Sequence, residues 1–123
     1  MYASVVGAER SWTVRRGKPG DASIVVVGSK KRRLSAVADE LNTAGYYVIG
    51  CKPTAFEEVL VMATFDVAVL LLDLSEHERE LVASAWNHRA DRSRGRLLIE
   101  PASKLPVAEL VDVALLGARR SAP

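Results

Sequence analysis

The sequence predicts an α/β fold, a three-layer sandwich with helices on both faces of a parallel sheet. Three observations predict it. Runs that are apolar at every position, Ile24-Val25-Val26-Val27 and Val67-Ala68-Val69-Leu70-Leu71-Leu72, suit strands buried on both faces. The segments between such runs carry apolar residues at helical spacing. Strand and helix alternate with short links, the pattern of right-handed crossovers.

The elements follow in order. Residues 1–21 form an arm, read either as a flexible terminus or as a short edge strand around Ser11-Trp12-Thr13-Val14. Gly17-Lys18-Pro19-Gly20-Asp21 is turn-like and closes it. The domain runs over 22–119, and 120–123 are a tail. The first strand, Ile24 to Val27, leads into a helix with Leu34, Val37, Ala38 and Leu41 on one face; Gly45 ends it. A second strand starts at Tyr46 and ends at Ile49 or Gly50. Thr54 and Glu57 read as a capping box for a helix that buries Phe56, Val59, Leu60 and Ala63. The third strand is Val67 to Leu72. Ser75 and Glu78 form another capping box, before a helix with Leu81, Val82 and Ala85 inward. Arg89 to Gly95 is a basic loop, and Arg96 to Ile99 is the fourth strand. Pro106 opens a last helix that buries Val107, Leu110, Val111, Ala114 and Leu115 and ends at Gly117. Four strands make a small sheet, so the arm or a partner chain is expected to complete an edge.

Composition narrows the function classes. The chain has 123 residues, 49% hydrophobic and 26% charged, enough for one core and one soluble domain. A net charge of +2 is too small to argue for a nucleic-acid partner. One cysteine, Cys51, excludes an internal disulfide and fits a reducing cytosol. The amino terminus lacks the apolar core of a signal peptide. The longest apolar run falls far short of the roughly 20 residues that cross a membrane. A cytoplasmic protein with no membrane contact is expected.

From Ile24 to about Leu74 the chain resembles a response-regulator receiver domain. The matching pieces are the Ile24–Val27 strand, the Leu34-to-Leu41 helix, Ala44-Gly45-Tyr46-Tyr47-Val48, Phe56-Glu57-Glu58-Val59-Leu60, and Phe65-Asp66-Val67 leading to Leu72-Asp73-Leu74. The resemblance implies a flavodoxin-like sheet and an aspartyl-phosphate switch of two-component signalling. Asp73 falls on the phosphoacceptor position. The rest departs from the pattern. Gly28 and Ser29 stand where a receiver has its acidic pair. Glu100-Pro101 stands either at the end of a fourth strand or, with its charge reversed, where a receiver has Lys-Pro. One strand-helix unit is therefore absent or replaced, and the chain reads as a degenerate, pseudo-receiver form.

That departure decides the chemistry. Phosphoryl transfer needs the charge on the moving group neutralised, usually by Mg²⁺ in an oxygen cage. Gly28 offers no ligand and Ser29 only a hydroxyl, so Asp73 alone would hold Mg²⁺ weakly. No metal, no cofactor and no phosphotransfer are expected, and no acid–base pair or activated nucleophile marks an enzyme. His77 and His88 lack partners at metal-ligand spacing. Cys51 reads as a buried rim residue, and Trp86 as core.

The rim leaves one alternative. Lys30-Lys31-Arg32-Arg33 sits at the start of a helix, where cations oppose the helix dipole. Gly28-Ser29 before it would leave amides open, and Lys52 follows the next strand. Ser29, Lys30, Lys31 and Lys52 are thus candidates to bind an anionic metabolite or nucleotide. The leading expectation is a phosphorylation-independent, receiver-like interaction domain in signalling or gene regulation. It would form a homodimer through the last helix and the neighbouring sheet edge, with a regulator or signalling protein as a further partner.

Overall fold

The computed structural model describes residues 13–18, 22–89, 95–101 and 106–121. Its elements are β1 (Thr13–Arg16), β2 (Ser23–Val27), α1 (Lys31–Thr43), β3 (Tyr47–Cys51), a 3-10 turn (Pro53–Ala55), α2 (Phe56–Met62), β4 (Val67–Leu70), α3 (Glu76–Asn87), β5 (Arg96–Ile99) and α4 (Val107–Ser121). The five strands form one sheet in the order β1-β3-β2-β4-β5. Strands β2 to β5 run parallel, and β1 pairs antiparallel with β3. The fold is α/β with a mostly parallel sheet, compatible with a flavodoxin-like topology.

Alternate strand residues feed two separate apolar clusters, which is why the strands read as unbroken apolar runs. Ile24, Val26, Val48, Val67 and Val69 pack with Leu34, Val37, Ala38 and Leu41 of α1 and with Val107 and Val111 of α4. Val25, Val27, Ile49, Ala68 and Leu70 pack with Phe56 and Val59 of α2 and with Val82 and Trp86 of α3. Each of the buried Val, Leu, Ile and Phe side chains contributes roughly 1.5–3 kcal/mol relative to exposure.

Several boundaries differ from the sequence reading. The arm supplies β1, tied to α1 by the Arg16–Asp39 ion pair at 2.6 Å. Strand β4 ends at Leu70, because Leu71 to Leu74 turn away toward α3. The expected Thr54 capping position is not the start of α2: the chain enters through the 3-10 turn, and the N-cap is Ala55, which makes no side-chain cap. The Ser75 capping box is present in both directions, Glu78 N to Ser75 Oγ at 3.1 Å and Ser75 N to Glu78 Oε1 at 2.9 Å. Leu81 is exposed rather than inward. Helix α4 continues through Gly117 to Ser121. Gly45 has φ of +102° and ends α1 as expected. Gly95 has φ of +89°, and a Cβ there would lie 2.8 Å from both the Phe65 carbonyl and the Trp86 ring, so only glycine fits before β5. Residues 1–12, Pro19 to Asp21, Arg92 and Arg94 of the basic loop, and Ala122-Pro123 lie outside the described residues.

Candidate functional site

The carboxyl ends of the parallel strands are in register. Val27 pairs with Cys51 and with Leu70, and Leu70 pairs with Ile99. Four loops therefore leave one rim, beginning at Gly28, Lys52, Leu71 and Glu100. The chain reverses its direction of travel across the sheet between β2 and β4. In open α/β sheets that crevice is the usual ligand site. Gly28-Ser29-Lys30 and Leu71-Leu72-Asp73 flank it, so most of the sequence-predicted site residues gather there.

The crevice is closed by contacts within the protein. Asp73 Oδ1 accepts the Ser29 amide at 3.0 Å, and Asp73 Oδ2 accepts the Lys30 amide at 3.0 Å. Gly28 N donates to the Cys51 carbonyl at 3.1 Å. The expectation of amides left open to an anion is thus corrected. Lys30 makes no side-chain cap at the start of α1, and the first turn of that helix contains no acidic residue. Asp73 supplies from a distant loop a negative charge at this helix start, whose first residues Lys31, Arg32 and Arg33 are all cationic.

A side chain at Gly28 would crowd Leu71. A Cβ there would lie 2.9 Å from Leu71 Cδ1 and 3.5 Å from Asp73 Oδ1. Leu71 is fully buried, so its methyl would yield only by repacking its neighbours.

Glu100 is the second closed carboxylate. Only 8% of it is exposed. Its Oε1 accepts the Leu72 amide at 3.1 Å, and its Oε2 pairs with Arg33 of α1. Glu100 N also continues the ladder to the Leu70 carbonyl at 2.8 Å. Since β5 lies directly beside β4, Glu100 stands at the end of the fourth parallel strand, and the helix after it packs in the cluster of α1. Lys30 and Lys31 are exposed, and Lys52 is half-buried at the end of β3. Among the described residues, no group of three or more His, Cys, Asp or Glu side chains is placed to hold a metal ion.

No family model, curated protein or solved structure matches the chain. The reading of the site therefore rests on its own geometry. No helix among the described residues is long and apolar enough to cross a membrane.

Acidic side chains latch other elements in the same way. Glu40 of α1 accepts the Ala108 amide in the first turn of α4 at 2.9 Å, and Asp66 accepts the Ser23 amide at the start of β2 at 2.9 Å. Sequence reasoning missed both, because the partners lie 68 and 43 residues apart. A groove of about 750 Å³ between α2 and α3, bordered by Leu60, Val61, Met62 and Phe65, opens at the end of the sheet opposite the rim, where the chain enters β4. His77 and His88 are exposed, and Trp86 is core, with the Arg89 guanidinium 3.6 Å from its ring centroid.

Cys51 is buried at the rim, and burial pushes its thiol from the ordinary 9.0 up to about 12. The folded protein keeps this proton where the unfolded chain has lost it. Stability is thus full below about pH 9 and falls as pH rises toward 12, by at most about 1.4 kcal/mol per pH unit. Urea midpoints at pH values on either side of 9 should fall more steeply for the wild type than for Cys51→Ala.

Proposed function

We propose that this chain is a receiver-like, three-layer sandwich that works as a phosphorylation-independent interaction domain in signalling or gene regulation. It performs no catalysis and acts by presenting a surface. The observation that carries this reading is the pair of hydrogen bonds from the Ser29 and Lys30 amides to Asp73. The residue in the phosphoacceptor position serves as a structural latch between two loops.

The Mg²⁺ that the receiver resemblance implies does not fit these residues. Gly28 offers no ligand, and Glu100 is turned to Leu72 and Arg33. Asp73 is left as a lone carboxylate with both oxygens already accepting amides. Near-octahedral Mg²⁺ needs more than that. The same contacts argue against the anion sensor, because the amides that would greet an anion are already used.

The surface in this reading is the last helix with the neighbouring sheet edge, and the partner is a second copy. Val113 and Leu116 of α4 are 69% and 51% exposed, and Ile99 of β5 is 54% exposed. Val113 and Leu116 on α4 and Ile99 on the edge strand are exposed aliphatic residues of the kind that a protein interface covers. The test of the silent acceptor is incubation with acetyl phosphate and Mg²⁺ followed by intact mass. The expected mass is unchanged. A stoichiometric gain of one phosphoryl group that is lost in Asp73→Asn would overturn the proposal.

A further inference from the structure

We infer that the outer edge of β5 pairs antiparallel with β5 of a second copy, with Leu97 opposite Ile99 across the two-fold axis. This rests on the homodimer reading above and specifies how the two copies meet. β5 is the last strand in the sheet order, and no described strand pairs with its outer edge. Its inner hydrogen bonds are known: Arg96 N donates to the Asp66 carbonyl at 3.0 Å, and Glu100 N to the Leu70 carbonyl at 2.8 Å. Main-chain groups alternate sides along a strand, so the amides and carbonyls of Leu97 and Ile99 point outward. An open edge of this kind is a template for another strand.

The side chains choose the register. Leu98 packs against the cluster of α1 and α4, and Leu97 against that of α2 and α3. Arg96, Leu98 and Glu100 therefore share one face, and Leu97 and Ile99 the other. Centring the two-fold axis on Leu98 makes Leu97 and Ile99 of the second copy a hydrogen-bonded pair, with aliphatic side chains together. It also keeps exposed Arg96 away from Leu98 of the second copy. A shift of one residue faces outward groups with inward ones. A shift of two sets Arg96, or Glu100, against Leu98. One register satisfies hydrogen bonds and apolar contact together, and it is self-complementary, as a two-fold interface must be.

The experiment uses the full chain. Analytical ultracentrifugation over a concentration series compares wild type with Ile99→Lys and Val113→Lys, and Leu98→Cys is oxidised mildly. Leu98 and its copy would form a non-hydrogen-bonded pair with Cα atoms about 4.5 Å apart, within disulfide reach. The expected result is a wild-type dimer, a dissociation constant raised at least about tenfold by Ile99→Lys, a smaller effect of Val113→Lys, and a cross-linked Leu98→Cys dimer. A dimer that survives Ile99→Lys but is lost in Val113→Lys would overturn the strand pairing and leave the homodimer reading standing through α4. A dimer with no Leu98→Cys cross-link would also overturn the register. A wild type that stays monomeric at the highest concentration would sink both.

Discussion

Replacing Glu100 with Ala should lower stability by about 3 kcal/mol, read as the shift of a urea unfolding midpoint at constant slope. Glu100 is the one buried charged side chain among the described residues. Its removal leaves the Leu72 amide without its acceptor and the Arg33 guanidinium without its carboxylate, and opens a cavity under the rim. Arg33→Ala should cost far less, about 0.5–1 kcal/mol, because the Arg33 side chain is about half exposed and water can replace much of the pair. Glu100→Gln should fall between the two. The amide keeps an acceptor for Leu72 but presents no charge to Arg33. A Glu100→Ala loss no larger than that of Arg33→Ala would mean the buried carboxylate does not hold the rim.

Asp73→Ala should cost about 2 kcal/mol in the same measurement, because it removes a charged acceptor from two amides at the start of α1. Lys31 and Arg32 would then face the positive helix end with only Glu100, held on Arg33, as a nearby anion, so added sulfate should recover part of the loss. Asp73→Asn should cost about half as much, since one carbonyl oxygen remains to accept. Leu71 to Asp73 connect the two latches, so the Asp73→Ala and Glu100→Ala losses should differ from additivity by more than about 0.5 kcal/mol. In an ordinary catalytic carboxylate, removal often leaves stability unchanged or raised. A structural latch behaves in the opposite way, and the sign of the Asp73→Ala effect separates the two roles.

The parallel strands and the four helices could be read from the sequence because their signals are local. Ile24 to Val27 and Val67 to Leu70 are apolar on both parities, and Leu34, Val37, Ala38 and Leu41 repeat at helical spacing. Ser75 and Glu78 cap within one turn, so their pattern is visible in four residues. The same pattern at Thr54 and Glu57 misled, because Pro53 draws the chain into a 3-10 turn first. Leu81 misled for a different reason: it lies just outside the stripe that Val82 and Trp86 bury.

The candidate site was half legible. Gly28, Asp73 and Glu100 could be placed at strand ends, where open sheets hold their functional groups. What each carboxylate does there was not legible. Asp73 finds its amides 44 and 43 residues away, and Glu100 finds Arg33 at a separation of 67. No periodicity encodes such a partner. The basic run at Lys30 to Arg33 did carry a signal: cations at a helix start call for an anion. The sequence reading looked for it in a ligand, and the fold supplies it from its own chain.

The role of Asp73 is tested most directly by amide chemical shifts. The shifts of Ser29 and Lys30 are followed while Mg²⁺ and beryllofluoride are added to the protein. With both amides held by the carboxylate, neither resonance should move beyond the general effect of salt. Saturable shifts at those two residues, absent from Asp73→Asn, would show that the acid lets go of the loop to take an acyl-phosphate mimic, and the latch would be a switch after all.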